Sequence, residues 1–273
     1  MRVRFFSSFI GGRKVKFGAS TSCYYPLDTE KALEHVIRLG FKSTEIFFNT
    51  YSELEPSFIG MLGRQLGNSG VKLVSVHPFS SFAEGHCLFG DYQRRADDMM
   101  ELYRRYFDAC VSMGADKVVI HGAMLRLREK IPDERYFERF AKLSEIADGY
   151  GVTLAQENVN AHFSESPEFL KKMRSQLGDR FKMVFDIKQA VRAGYDVFDF
   201  LETFLGDIVH IHISDNTAGK DCMPPGKGTF DFKKFFSVLD ENGYTGYNMI
   251  EIYHDDYNVD KELAESRKFL LNL

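Results

Sequence analysis

Four apolar stretches in the second half of the chain each carry an acidic or histidine side chain near their end, and this repeat constrains the fold most. The stretches are residues 153–158, 181–188, 208–215 and 247–253, and the polar side chains are Glu157, Asp186, His212 and Glu251. Residues two apart on a strand share a face. Ile211 and Ile213 therefore take one face of the third stretch and leave His212 on the other. The same alternation turns the acids away from the covering helices, as expected inside a closed parallel barrel, where chemistry sits at the carboxyl ends of the strands.

The length of the chain and the spacing of its strand patterns indicate one (β/α)8 barrel. The chain has 273 residues, close to the roughly 250 residues of such a barrel. Strand patterns alternate with helical patterns about every thirty residues, which is typical of a parallel sheet. We therefore predict an α/β protein with a single TIM barrel as the catalytic domain at residues 15–273, preceded by an N-terminal extension at residues 1–14.

Two long loops follow predicted strands on the face where barrel chemistry lies. Residues 78–90 precede the longest predicted helix, and residues 216–229 are rich in Gly and Pro, with the sequence PPGKG at 224–228. A long loop on the active face of a barrel is more often functional than decorative. We expect the second loop to form a mobile cover over the site.

Composition and charge count against two classes of partner, nucleic acid and the membrane. The formal net charge is −4, which offers no electrostatic attraction to a phosphate backbone, so we expect no nucleic acid. No apolar run approaches the roughly 20 residues of a membrane span. The four cysteines are scattered and form no C-x-x-C pair, which indicates reduced thiols and a cytoplasmic protein.

These motifs resemble the xylose-isomerase-like TIM-barrel superfamily of sugar (phosphate) isomerases and epimerases, which is related to the apurinic-endonuclease branch. The residues that carry the resemblance are Glu157-Asn158, Asp186, His212-Ile213-Ser214-Asp215, the Pro-Gly-x-Gly turn at Pro225 to Gly228 with Asp231 after it, and Glu251. The resemblance implies that one divalent cation is bound by four side chains, Glu157, Asp186, His212 and Glu251. It also implies that Glu157 and Glu251 are catalytic, since they move protons.

The chemistry of the four side chains agrees with that division of roles. Three carboxylates and one imidazole form an oxygen-rich anionic site suited to Mn²⁺, our preferred cation, and also to Mg²⁺, Co²⁺ or Zn²⁺. A ketose bound to such an ion has an acidified α-proton, because the cation stabilises the enediolate. Two carboxylates on opposite sides of the sugar could then remove and return that proton. We expect a divalent-metal-dependent sugar or sugar phosphate isomerase or epimerase of carbohydrate metabolism.

Three further histidines have inward parity near strand ends. His77 and His121 end the third and fourth predicted strands. In the relatives, these positions either contact substrate or hold an additional metal with the glutamate that corresponds to Glu157; we favour substrate contact, and a structural role is a third reading. His210 lies one layer below His212, where filling of the barrel or support of a ligand is the simpler interpretation.

Four more residues are candidates for substrate binding. They are Asn158, Gln189, Glu45 and Lys227. Glu45 is either a substrate contact or a barrel-interior acid paired with a base. Lys227, in the predicted cover, either reaches a substrate phosphate or hydroxyl or faces water. Gln189 stands where the endonuclease branch and many epimerases have a histidine; glutamine can bond a sugar hydroxyl but is a poor ligand for a third zinc.

Three other functions are weighed against the isomerase. An inosose-type dehydratase would use the same ion and an acid to expel water. A metal-dependent abasic-site endonuclease is disfavoured by Gln189 and by residues 221–223, which lack the Asp-x-His pair of that branch. A sugar-binding sensor is the non-catalytic alternative. For each of these functions except the nuclease, the expected binding partner is a small carbohydrate. We also expect the protein to form a homo-oligomer, either a dimer or a tetramer.

Overall fold

The computed structural model describes residues 9–10, 13–253 and 258–273. Eight parallel strands form a closed barrel in which β1 pairs with both β2 and β8, so the sheet has no free edge. The strands are β1 (Phe17–Ser20), β2 (Ser43–Phe47), β3 (Lys72–His77), β4 (Lys117–Ile120), β5 (Thr153–Glu157), β6 (Met183–Asp186), β7 (Ile208–Ile213) and β8 (Asn248–Ile250). The predicted single (β/α)8 barrel is confirmed.

Helices follow the strands and cover the outside of the barrel. They are α1 (Thr29–Arg38), α2 (Pro56–Ser69), α3 (Ser81–Cys87), α4 (Gln93–Ser112), α5 (Asp133–Gly149), α6 (Pro167–Leu177), α7 (Ile187–Arg192), α8 (Val197–Phe204), α9 (Phe232–Glu241) and α10 (Val259–Leu271). Local signals set their ends. The Ser166 side chain caps α6 by accepting from the Phe169 N–H, and Gly70 ends α2 in the left-handed conformation at φ 66°, which glycine adopts without steric cost. No helix in the described part of the chain is long and apolar enough to cross a membrane.

The barrel interior has an apolar floor. Val119, Ala155 and Val184 form a small buried cluster of their own, separate from the large core between sheet and helices. By strand alternation, Ala155 shares the face of Glu157, and Val184 shares the face of Asp186. The polar end of the barrel therefore lies directly above closely packed apolar side chains.

The structure differs from the predicted elements in three places. The predicted loop at 78–90 contains α3, and the predicted loop at 216–229 begins with an antiparallel ribbon of Asp215–Thr217 and Lys220–Met223. The stretch predicted as one strand to residue 188 breaks at Asp186, because the Asp186 side chain accepts from the Gln189 N–H and starts α7. One carboxylate thus ends the strand and caps the helix.

Part of the predicted N-terminal extension has regular structure. Phe9–Ile10 pairs antiparallel with Arg13–Lys14. Residues 1–8 and 11–12 of the extension lie outside the described residues. The division of the chain between residues 14 and 15 stays a prediction.

Candidate metal centre

Four buried side chains meet at the carboxyl end of four neighbouring strands. One ligand atom from each lies within 4.8 Å of the others, and the residues are Glu157, Asp186, His212 and Glu251. The register explains the meeting, because Asp186 on β6 is paired with His212 on β7, and Glu251 follows β8, donating its N–H to the Ile213 carbonyl. The structure therefore brings together the four side chains that the resemblance implied.

The distances from His212 Nδ1 to the three acids are close to those between ligands of one divalent cation. His212 Nδ1 lies 3.4 Å from Glu157 Oε1, 3.6 Å from Asp186 Oδ2 and 3.4 Å from Glu251 Oε2. Ligands about 2.1 Å from one ion are roughly 3.0 to 3.5 Å apart in octahedral or tetrahedral geometry. His212 Nδ1 is also buried without a hydrogen-bond partner among the described residues, as expected for an atom that coordinates an ion.

Glu45 lies beneath this cluster and hydrogen-bonds to His212 Nε2, the ring nitrogen that points away from the three acids. Its Oε2 is 3.1 Å from His212 Nε2, 3.1 Å from His210 Nε2 and 2.7 Å from the Ser75 hydroxyl that donates to it. Burial alone would raise the pKa of Glu45, but His212 and His210 outweigh it and hold this pKa well below its usual range. An ionised carboxylate only accepts, so Nε2 of His212 donates to Glu45, and Nδ1 is the ring nitrogen that faces the three acids. The structure thus places Glu45 as a partner of bases inside the barrel.

Replacing Glu45 with glutamine should weaken binding of a divalent cation about 10- to 100-fold. The amide of glutamine can donate to His212 Nε2, which would move the ring proton to the coordinating Nδ1. Calorimetric titration with Mn²⁺ measures the loss. Glu53→Gln is the control, because Glu53 is also buried and hydrogen-bonded, but its partners are Thr29 and the Asn49 N–H. Equal affinities in wild type and Glu45→Gln would contradict this assignment.

His77 and His121 lie beside Glu157. His121 Nε2 is 2.8 Å and His77 Nε2 is 3.5 Å from Glu157 Oε2, and the two Nε2 atoms are 3.0 Å apart. Burial opposes protonation of His121, but Glu157 outweighs it and raises the pKa of this histidine. These three residues form a second group that could hold a metal ion. Both substrate contact and a second ion that shares Glu157 fit this geometry.

The side chains of Asn158 and Gln189 form hydrogen bonds to backbone groups around the site. Asn158 Oδ1 accepts from the Asp186 N–H at 2.7 Å, and Asn158 Nδ2 donates to the Asp186 carbonyl at 3.0 Å. Gln189 Oε1 accepts from the Asn160 N–H at 3.1 Å. The Asn158 amide therefore locks β5 to β6 at the point where Asp186 enters the cluster.

The structure does not bring Lys227 to the cluster. Its ammonium pairs with Glu265 and lies 3.5 Å from Glu262, both on α10. The loop that carries Lys227 is instead built around Asp215. Asp215 accepts from four backbone N–H groups at 2.8 to 3.0 Å, those of Asn216, Gly226, Gly228 and Phe230. A Cβ on Gly228 would come within 2.3 Å of Asp215 Oδ1, which explains the second glycine of the Pro-Gly-x-Gly turn.

Lys188 is a site residue that the sequence reasoning missed. It lies on α7 at 1% exposure, and its ammonium donates to Asp186 and Glu251. Burial opposes the charge on Lys188, but these two carboxylates outweigh it and raise the pKa of Lys188 well above its usual value. In turn, Lys188 and His212 overcome the effect of burial and lower the pKa of Glu251 to about 2. The signal that could have located Lys188 is Asp186 as a helix cap, which moves Lys188 from a strand to the first turn of a helix.

Comparison with known proteins places the barrel in one family. The model of the family described as xylose isomerase-like TIM barrel matches residues 33–273. An inosose dehydratase of Clostridium perfringens is 22% identical over 259 residues, which cover 83% of this chain and 82% of that protein.

Solved structures with this fold are similar over nearly the whole chain. A D-tagatose 3-epimerase-like protein superposes with a TM-score of 0.78 at 22% identity, covering 94% of this chain and 97% of that one. The IOLI protein with a bound zinc atom superposes with a TM-score of 0.76 at 17% identity, covering 94% and 98%. With the family model matched from residue 33 to the last residue, the chain belongs to the xylose isomerase-like TIM barrel family.

Proposed function

We propose that this protein is a divalent-metal-dependent enzyme that isomerises or epimerises a sugar or sugar phosphate. The observation that carries the proposal is the convergence of three buried carboxylates and one imidazole at the mouth of the barrel. The resemblance of the fold to a D-tagatose 3-epimerase-like protein supports a sugar ketone as the substrate class. A divalent cation, when bound, supplies polarisation of the ketone, which acidifies the neighbouring C–H.

Glu157 and Glu251 are the proposed acid and base. Glu157 ends β5 and Glu251 follows β8, so the two carboxylates approach the site from different sides of the barrel. One could take the α-proton of the ketone, and the other could return a proton to the opposite face, which inverts the carbon. If one carboxylate serves both steps, the proton moves between adjacent carbons on one face, which is isomerisation. His77 and His121 lie beside Glu157 and are the proposed contacts for sugar hydroxyls.

We propose Mn²⁺ as the cation, which the donor set suits. Three carboxylate oxygens and one nitrogen are hard ligands that suit Mn²⁺, Mg²⁺ or Co²⁺, and imidazole also suits Zn²⁺. The zinc atom in the similar IOLI structure belongs to that protein. Elemental analysis of the purified protein identifies the ion here, and one ion per chain is the expected result.

The test of the proposed function is hydrogen exchange. Metal-free protein is prepared with a chelator, reloaded with Mn²⁺, Co²⁺, Mg²⁺ or Zn²⁺, and incubated in D₂O with a panel of ketoses and ketose phosphates. We expect deuterium to enter the carbon next to the ketone only in the metal-loaded samples, because proton removal there requires the polarised carbonyl. Mass spectrometry and proton NMR of the sugars measure the exchange. Absence of exchange across the panel with every ion would overturn the proposal.

An inosose-type dehydratase is the second candidate, and the similarity to the Clostridium perfringens enzyme favours it. The same carboxylates would then remove the α-proton, but a hydroxyl on the next carbon would leave as water. The product of an inosose would be a dione with a new ultraviolet absorption. Appearance of that absorption, together with loss of the substrate's hydroxyl in the mass spectrum, would select this reaction over epimerisation.

A further inference from the structure

The cation position in this protein already has a positively charged neighbour. The Lys188 ammonium donates to Asp186 Oδ2 and to Glu251 Oε2. These are the same two oxygen atoms that lie 3.6 and 3.4 Å from His212 Nδ1. The ammonium and a divalent cation would therefore use the same pair of carboxylate oxygens.

The attachment of Lys188 to these oxygens is built into the fold. Asp186 Oδ1 accepts from the Gln189 N–H at 3.2 Å, which leaves Oδ2 for a cation. Lys188 stands in the first turn of α7, and it is buried at 1% exposure. Burial of an unpaired ammonium is very costly, and the two carboxylates offset that cost.

Charge explains why an ammonium is held there. The ligand set holds three buried carboxylates, and carboxylates at such distances repel one another. Lys188 reduces that repulsion when no metal is bound. A divalent cation at the same oxygens would in turn repel the ammonium, because like charges a few ångströms apart interact strongly in a protein interior.

An aromatic ring lies next to the ammonium. The Lys188 Nζ lies 5.5 Å from the centre of the Tyr253 ring, within the range of a cation–π interaction. Tyr253 is 45% exposed and follows β8 at the open end of the barrel. The Arg192 guanidinium also contacts this ring, at 5.1 Å from its centre. Rotation of the flexible lysine stem toward the ring would move the ammonium away from the carboxylates and keep its contact with Tyr253.

We propose that Lys188 is an internal competitor for the divalent cation. It bridges Asp186 and Glu251 in the metal-free protein and moves toward Tyr253 when the ion binds. This inference rests on the proposed function of the site, since it concerns the same ligand set. Its consequence is that the protein remains folded without metal and that its metal affinity is lower than the four ligands alone would give.

The test is a metal titration of Lys188→Met. Methionine keeps an unbranched stem of similar length but has no charge. Metal-free wild type and variant are titrated with Mn²⁺ in the calorimeter, and with Zn²⁺ in competition with a chelator. We expect the dissociation constant of the variant to fall at least about tenfold, the size of one typical coupling between two sites. The metal-free variant should unfold at a lower temperature than metal-free wild type. Added Mn²⁺ should raise the Tm of the variant by more than it raises the Tm of wild type.

Controls separate this result from a general effect of charge. Lys171→Met removes an exposed lysine from α6 and should leave Mn²⁺ affinity unchanged. If Lys188→Met does not fold without metal, Lys188→Gln replaces it in the same titration. Unchanged or weaker Mn²⁺ binding in the variant would overturn the inference, because the ammonium would then assist the bound ion. If neither wild type nor variant binds a divalent cation, the proposed function itself fails.

Discussion

Glu157→Gln should lower the rate of α-proton exchange by about 10³-fold or more, the contribution expected of a positioned acid–base group. Glu157 is buried, its Oε1 faces His212, and its Oε2 faces His121. Glutamine has nearly the same shape but cannot accept a proton, so substrate could still enter while the proton transfer is lost. The rate is measured as deuterium uptake at saturating metal, with the bound metal determined in the same samples.

Two further variants distinguish the loss of the catalytic base from the loss of the bound ion. Glu157→Asp keeps the charge but withdraws the carboxylate by about one methylene, a displacement that can cost about 10²-fold in rate. Glu202→Gln removes an exposed acid on α8 and should exchange protons at the wild-type rate. Exchange by metal-loaded Glu157→Gln within about tenfold of wild type would show that Glu157 is not the base.

Asp215→Ala should destabilise the protein by about 3 kcal/mol, because it removes a buried carboxylate that accepts four backbone hydrogen bonds at once. The carboxylate is 2% exposed and accepts from four backbone N–H groups. Without this carboxylate, the N–H groups of Gly226 and Gly228 lose the acceptor that they share. All four N–H groups are then left without their partner in a partly buried loop. The shift of the urea unfolding midpoint at constant slope measures the change.

Asp231→Ala is the matched control for that loss. Asp231 follows the same turn, but it is exposed and, among the described residues, accepts one backbone N–H, that of Lys234, as the cap of α9. Loss of such a cap costs about 1 kcal/mol. If Asp215→Ala is no more destabilising than Asp231→Ala, the loop does not depend on the buried carboxylate.

The barrel and its helices were predictable because they follow local periodicity. Strand alternation and helical spacing are properties of neighbouring residues, and signals such as Gly70 after α2 are local as well. One of the exceptions occurs where a single side chain has two roles. Asp186 ends β6 and caps α7, so an apolar stretch that looked like one strand divides at its functional residue.

The sequence by itself determined the closed barrel and the meeting of Glu157, Asp186, His212 and Glu251, because parity and strand order bring strand-end residues to one mouth. It did not determine the partners of those side chains. Only the tertiary structure decided that Glu45 lies behind His212, that Lys227 pairs with α10, and that Lys188 shares two of the carboxylates. These contacts join residues from different strands and helices, and the direction of a long side chain depends on packing that no local pattern records.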